Sequence, residues 1–548
     1  MKNFLLIFKR HLFLFLPLAF IPVIGNSNSV FAILILSIYV LYLFLSKSNF
    51  TSLNSKISTL LICFLFYLSV HSFILTDYTF INFIGSNTRN YGIFLYFVLF
   101  SLLLHFQTFS SNRISRVISL NLILVNILSL VGILQIFLPE IYGYIDRINY
   151  FDGKIFSTFM LPNFFGQYIS ISLGIALYKR LKNKRKYFFL LLIPGIALLL
   201  TRSKVAILAL CLSIVYYLYE KNKHKIKLKN IIYLFSPIFL IFLFKGFFHL
   251  ERSLNSRIEI FKSSIDLILQ NPLGTNFYGL ENLFPSVINS SHYFLEQNLD
   301  LVFDKSHNFF IDLLLVGGVP SLMFLAIFVS LLISVCKKDP KKVLLLIPIF
   351  TISQLSIFSV PSLVLITLIF AIVFEPQKTK LKPIFNKVII LLLTIVSLFY
   401  SANFYGQLQF KKYQENQNLR QLEHTLLFNP TNLKANLLLM QKIDDKKLND
   451  FYLKSQDVFS KENLILKRAY FKAKILAGFN MEIQLQSLIN KNPNDFKNHL
   501  LLSNYYYFKE DFQNANQSFN QMKKHIDISQ IKSFKGAEKY LKAFKKFE

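Results

Sequence analysis

From residue 11 to residue 404 the chain alternates between long apolar runs and short polar loops. Runs of about 15 to 22 apolar residues have the length of a helix that crosses a bilayer. The pattern predicts about thirteen such spans, near 11–25, 30–46, 57–75, 92–106, 117–138, 158–178, 187–200, 204–219, 231–247, 307–335, 343–358, 361–375 and 385–404. Lys9 and Arg10, an apolar run and the small residues Gly25 to Ser29 would also fit a cleaved signal peptide. A second apolar run follows at once from Val30, which favours an uncleaved first span.

The alternation is interrupted twice. Residues 248–306 form a long polar insert, and segments of that length between spans usually carry function. Within it Leu254, Ile258, Phe261, Ile265 and Ile268 recur at helical steps, predicting an amphipathic helix that lies flat on the bilayer until Asn271–Pro272 stops it. From about Gly406 onward Gln, Asn, Lys and Glu interleave with apolar residues at helical spacing, and no run is long enough to span. Asn492–Pro493–Asn494–Asp495 before Leu502, Tyr506, Ala515 and Phe519, with Lys509–Glu510–Asp511 at a bend, resembles a paired-helix tetratricopeptide unit of about 34 residues. Asn429–Pro430–Thr431–Asn432 before Ala435 and Leu438 is a weaker copy. The expected architecture is all-α: a polytopic membrane bundle over residues 1–404, then a water-soluble, TPR-like helical domain over 405–548. An unrelated helical bundle would give the same tail pattern.

Composition adds class and orientation. The chain is 53% hydrophobic, with 61 Phe and no Trp, which excludes a soluble enzyme and a disordered chain. Its formal charge of +31 would suit nucleic acid, but the basic residues gather in alternate short loops. Those loops hold Lys47 and Lys56, Arg113 and Arg116, Lys179 to Lys186, Lys221 to Lys229, Lys337 to Lys342, and Lys378 to Lys387. The positive-inside rule explains them without a nucleic-acid partner. It puts the N-terminus in the cytoplasm and places 76–91, 139–157, 248–306 and everything after 404 outside the cytoplasmic membrane. Cys63, Cys211 and Cys336 lie in or beside apolar runs with no metal-ligand or redox spacing, and read as packing residues.

Charged groups at membrane depth are costly and tend to be functional. Arg202 sits in Thr201–Arg202–Ser203–Lys204, a tight reversal between two short spans. Arg89, within Gly85 to Gly92, meets the outer end of another span, and Arg257 lies on the amphipathic helix of the insert. An interfacial Arg that only binds headgroup phosphate is the plain alternative for each. His307 opens the span that closes the insert, and an imidazole with a pKa near ~6.5 can accept a proton at physiological pH. Its neighbour Asn308 would bond a substrate or cap the helix. A rival arrangement places His292, Glu296, Asp300, Asp304 and His307 on one helical face as a metal site, which requires an unbroken helix from 298 to 305. There is no P-loop lysine motif, GxGxxG, HExxH or GxSxG, and nothing cytoplasmic is large enough to bind a nucleotide sugar. A substrate would arrive through the membrane, already activated.

Four stretches together resemble the O-antigen ligase and O-antigen polymerase superfamily, which also includes bacterial protein O-oligosaccharyltransferases. They are Gly85 to Gly92 with Arg89; Phe156–Ser157–Thr158–Phe159 through Pro162–Asn163–Phe164–Phe165–Gly166; Leu200–Thr201–Arg202–Ser203; and Arg257 through Asn271–Pro272–Leu273–Gly274 to His307–Asn308 and Gly317–Gly318–Val319. The last is the most specific. Two positions depart from the family: Phe261 stands where a Trp is frequent, and no second His or acidic residue is obvious beside the His-Asn pair.

The resemblance implies a GT-C-like membrane fold. It also implies metal-independent, cofactor-free transfer of a glycan from a polyprenyl diphosphate of undecaprenyl type to an acceptor hydroxyl on the outer membrane face. Arg202 first, then Arg257 and Arg89, would bind the diphosphate. His307 would be the general base, and Asn163 and Asn308 would position sugar or acceptor groups. Glycan, lipid and protein acceptors all fit the resemblance, so ligase, polymerase and protein glycosyltransferase stay unseparated, and the helical tail would recruit an acceptor or an envelope partner. A flippase for lipid-linked sugars would also use intramembrane Arg, but would show internal two-fold repetition, which the sequence lacks. A repeat domain merely anchored by the spans would not need so many of them.

Overall fold

The computed structural model describes residues 13–14, 16–17, 28–46, 54–74, 79–85, 91–138, 153–159, 161–181, 191–222, 255–277, 283–284, 287–288, 291–296, 306–354, 356–375, 383–459, 464–528, 530–534 and 537–547. These residues are helical and contain no strand. The membrane part comprises α1 (Asn28–Ser46), α2 (Ser55–Ile74), α3 (Ile93–Gln107), α4 (Ser111–Phe137), α5 (Pro162–Leu181), α6 (Leu192–Leu200) and α7 (Lys204–Asn222). After the insert come α10 (Phe309–Gly317), α11 (Pro320–Lys338), α12 (Val343–Ser353), α13 (Val360–Val373) and α14 (Pro383–Asn416). The insert itself contributes α8 (residues 255–270) and the short α9 (Ser291–Glu296).

Among the described residues five helices are long and apolar enough to cross a membrane, namely α2, α4, α7, α11 and most of α14. Three apolar segments, Val30–Ser46, Ile93–Gln107 and Val360–Val373, are shorter. The expected spans 11–25 and 231–247 lie largely outside the described residues. Two expected spans change form. Span 307–335 is broken into α10 and α11 at Gly317–Gly318, and the helix through 385–404 continues without a break to Asn416. Gly406 lies inside that helix, where a Cβ would stand 2.6 Å from Asn429 Cβ and 3.0 Å from Asn429 N, so the glycine serves close packing.

The bundle has two chemically different ends. At one, Asn54 Nδ2 donates to Glu375 O (3.2 Å), Asn54 N donates to Gln107 Oε1 (3.3 Å), and Lys342 Nζ pairs with Glu375 (2.8 Å) and donates to Val373 O (3.1 Å). Tyr216 donates to Pro340 O at the same end (2.9 Å), where Arg180 lies over the Tyr217 ring. These are the basic loops of the sequence pattern. The opposite end gathers the loops beginning near residues 85, 155, 201, 271, 306 and 354.

Helix α14 carries the chain to that opposite end, where α15 (Leu419–Phe428), α16 (Leu433–Met440), α17 (Asp445–Phe459), α18 (Leu464–Leu476), α19 (Glu482–Lys491), α20 (Phe496–Phe508), α21 (Phe512–Lys523) and α22 (Ala537–Phe544) follow. Helices α20 and α21 form an antiparallel hairpin whose bend holds Glu510 at φ 61°, with Asp511 capping α21. The two Asn-Pro loops share one device. Asn432 and Asp495 cap the helices that follow, Asn436 donates to Pro430 O (3.0 Å), and a His499 ring nitrogen bonds Pro493 O (2.8 Å) across the same six residues. The tail also packs on the insert: Ile260 and Leu267 of α8 and Tyr293 of α9 share one buried apolar core with Phe496, Phe519 and Phe544.

Candidate functional site

The loops at the end away from the basic clusters are fastened to one another by a continuous chain of bonds. Gln135 of α4 clamps the 155–159 segment, donating to Ser157 O (2.7 Å) and accepting from Ser157 N (2.9 Å). Ile155 N donates to Leu200 O (3.5 Å), next to the 201–203 reversal. That reversal presses on α5: a Cβ on Gly166 would stand 2.7 Å from Ser203 Cβ and 3.1 Å from Thr201 Oγ1. Asn163 lies one turn before Gly166 on the same face of α5, exposed, just after Pro162, whose fixed φ suits a first helical position. Gln167 reaches from α5 to Ser356 Oγ (2.7 Å) and Ile357 O (2.9 Å). Asn308 Nδ2 reaches the same loop at Gln354 O (3.2 Å). Arg202, Asn163, Asn308 and His307 therefore belong to one end of the bundle, within one bonded set of loops.

His307 is held in an uncommon backbone conformation, at φ 63°. Ser306 and Asn308 anchor it on both sides. Ser306 donates through N and Oγ to Asp312 Oδ1 (2.7 and 2.8 Å), while Asn308 caps α10 by accepting from Phe310 N (2.9 Å) and Ile311 N (3.2 Å). Of the two roles open to Asn308, the structure supplies capping, with its amide group also engaged on Gln354. We expect Asn308→Ala to lower stability by about 1 kcal/mol or somewhat more, and Asn308→Asp to keep most of it, measured by thermal unfolding of the full chain in detergent.

Strain clusters here. Of the six described non-glycine residues with positive φ, Ser157, Arg202, Asn276 and His307 all lie in these loops. Such conformations cost of order 1–3 kcal/mol each and persist only where the surroundings fix them, which points to preorganised sites.

Residues of α9 interact electrostatically with both Arg257 and His307. Burial pushes the His292 imidazole down to about 4, against the pull of the Glu296 and Glu259 carboxylates and with the help of the His307 ring. Burial also lowers the Arg257 pKa, opposed by Glu296, and Ser256, the residue before Arg257, donates to the Glu296 carboxylate. Arg257 is half-buried and makes no hydrogen bond or ion pair with another described residue. Arg257, Glu296, His292 and His307 thus form one electrostatic group. Asp312 behind the His307 turn and the His292 imidazole on α9 accompany the His-Asn pair, where the sequence made no second His or acidic residue obvious. The i, i+4 spacing of His292 and Glu296 was a legible signal, but which face it presented was not.

In helix α8, Ser256, Ile260, Ser264 and Leu267 are the buried face, while Ile258 and Ile265 of the expected stripe are exposed, as is Leu269. The helix itself ends at Asn271 as expected, in a turn locked by backbone contact: Val319 N donates to Pro272 O (2.8 Å) and Thr275 N to Leu315 O (2.7 Å). Tyr67 of α2 donates to Gly317 O (2.8 Å) across the same junction.

Arg89, Asp300 and Asp304 lie outside the described residues. Among the described residues that flank Arg89, Gly92 N donates to Ile84 O (3.1 Å), and Tyr91 donates to Phe358 O (3.0 Å), which puts these flanks at the same end. The helix of the rival metal arrangement is described only as far as Glu296.

Compared with known families, residues 188–326 match the family model described as O-Antigen ligase, Wzy_C. The match includes Arg202, Arg257, His307 and Asn308 and places this segment in the O-antigen ligase superfamily. No curated protein and no solved structure matches the chain.

Proposed function

Proceeding from the O-antigen ligase domain at residues 188–326, we propose that the chain transfers a glycan from a polyprenyl diphosphate of undecaprenyl type to an acceptor hydroxyl at the outer face of the cytoplasmic membrane. The observation that carries this reading is the half-buried Arg257 guanidinium, with no ion-pair partner among the described residues, in one electrostatic group with His307. A cation kept partly dry, with no ion pair among the described residues, is suited to a ligand anion, and guanidinium forks bind diphosphate oxygens bidentately.

In the transfer, the acceptor oxygen bonds to the anomeric carbon while the bond from that carbon to the phosphate oxygen breaks. The diphosphate leaves with the carrier lipid, and the negative charge it gains falls to Arg257 and Arg202, joined by Arg89. The acceptor proton goes to His307. Of the two imidazoles, buried His292 is held neutral and weakly basic, which makes it the poorer candidate for this role. Asp312 and Asn308 hold the turn that aims it, and exposed Asn163 beside the 201–203 reversal is placed to bond sugar hydroxyls. The charge requirement is met by guanidinium groups, so the reading invokes neither metal nor cofactor. The positive-inside rule assigns the basic end to the cytoplasm, and with it the site and the helical tail, read as TPR-like, to the outside. Glycan, lipid and protein acceptors all suit this chemistry.

Arg257→Lys tests the fork. A point-charge ammonium keeps the charge but not the two parallel bonds, so we expect transfer to fall by about 10-fold or more with insertion intact. Transfer by the purified protein in detergent, with no compartments to move substrate between, separates this reading from a flippase.

A further inference from the structure

Helix α9 has two differently occupied sides. On one, His292 and Glu296, one turn apart, join the group that contains Arg257 and His307. On the other, Tyr293 and Phe294 enter the core of the C-terminal domain: the Tyr293 ring meets Phe496 nearly at right angles (centroids 5.7 Å apart), Phe294 meets Phe534 in the same way (5.6 Å), and the Lys497 ammonium lies 4.1 Å from the Tyr293 ring centroid. The C-terminal side of this junction is itself fixed, because buried Asp495, which caps α20, pairs with Arg468 of α18. Glu296 does not bond the guanidinium of Arg257. It accepts instead from Ser256, the preceding residue, and so fixes the start of α8 while the Arg257 donors bond no other described residue.

We propose that Glu296 is a positioning residue for Arg257, and that the C-terminal domain holds it in place by gripping α9 through Tyr293 and Phe294. On this account the tail is part of the donor site. A helix described over six residues has little stability of its own, so its position is set by what packs on it. Two aromatic edge contacts and a cation over a ring supply that packing on the domain side. The hydrogen bond from Ser256 transmits it to Arg257. The inference rests on the proposed binding of diphosphate by Arg257.

The test is a double-mutant cycle on the purified full chain, read by retention of undecaprenyl diphosphate and by KM and kcat for the lipid-linked donor. Ser256→Ala and Glu296→Ala should each raise the donor KM about 10-fold with kcat changed less than about 3-fold, and the double variant should be no worse than either single, as for partners in one bond. Glu296→Gln, which keeps an acceptor oxygen for Ser256, should recover most of the loss. Phe496→Leu, far from substrate, should raise KM in the same way, and the milder Phe534→Leu serves if the first variant does not fold. Additive effects of Ser256→Ala and Glu296→Ala, or an unchanged KM in both Phe variants, would overturn the proposal. Failure of the underlying reading looks different: wild-type protein would then not retain undecaprenyl diphosphate at all.

Discussion

Replacing His307 by alanine should abolish glycan transfer while the chain still inserts and still retains its lipid diphosphate. A general base supplies about 10²- to 10⁴-fold, and a fall of that size is the expected result. The backbone complicates the substitution, because His307 sits at φ 63° and alanine loses a little stability in that region. Asparagine tolerates the left-handed region better. His307→Asn therefore keeps the turn, bonded as before through Ser306, Asp312 and Asn308, and removes only the base. Both variants should be inactive if the imidazole takes the proton. Near-normal turnover in His307→Asn would remove the base assignment, and activity in that variant but not in His307→Ala would make the residue a matter of backbone geometry. His292→Gln provides the contrast: its ring is buried and weakly basic, so its loss should cost far less turnover.

Gly318→Ala should be the most damaging single methyl in the molecule. At φ 62°, ψ −163° the residue occupies a region that side chains essentially never adopt. Its Cβ would also stand 2.2 Å from Leu273 C, 2.4 Å from Pro272 O and 2.5 Å from Gly274 N, all backbone atoms with nowhere to move. Strain and overlap together should cost about 4 kcal/mol. Gly478 provides the control, since it too has positive φ (86°) but nothing within 4 Å of its added Cβ. Gly478→Ala should cost only about 1–2 kcal/mol. Thermal unfolding of the two variants in detergent decides the matter, and equal losses would show that contact between the two glycine turns is not what limits the site. Because the 271–277 turn joins α8 to the α10–α11 break, a disturbed lock also moves Arg257 relative to His307.

Local pattern was enough for much of this. The apolar runs, the alternation of basic loops, the stop at Asn271–Pro272, the 201–203 reversal and the Asn-Pro loops of the tail could be read directly, because each depends on neighbours within a turn or two. Arg202, Arg257 and His307 were legible for a related reason, being charged or titratable groups at the margins of hydrocarbon. Gln354 and Asp312 were not singled out, although each is a polar residue interrupting an apolar run, because their partners lie in other loops or behind a turn.

By itself, then, the sequence determined a helical membrane protein with its basic loops in alternate positions and a more polar helical tail, since hydrophobic length, helical period and charge alternation act locally along the chain. Tertiary structure alone decided that the long span breaks at Gly317–Gly318, that α8 turns Ser256 and Ile260 inward while Ile258 and Ile265 stay exposed, and that α9 packs on the tail and bonds the residue before Arg257. Those outcomes turn on contacts between residues tens to hundreds of positions apart, and no periodicity within one segment records which distant surface will cover it.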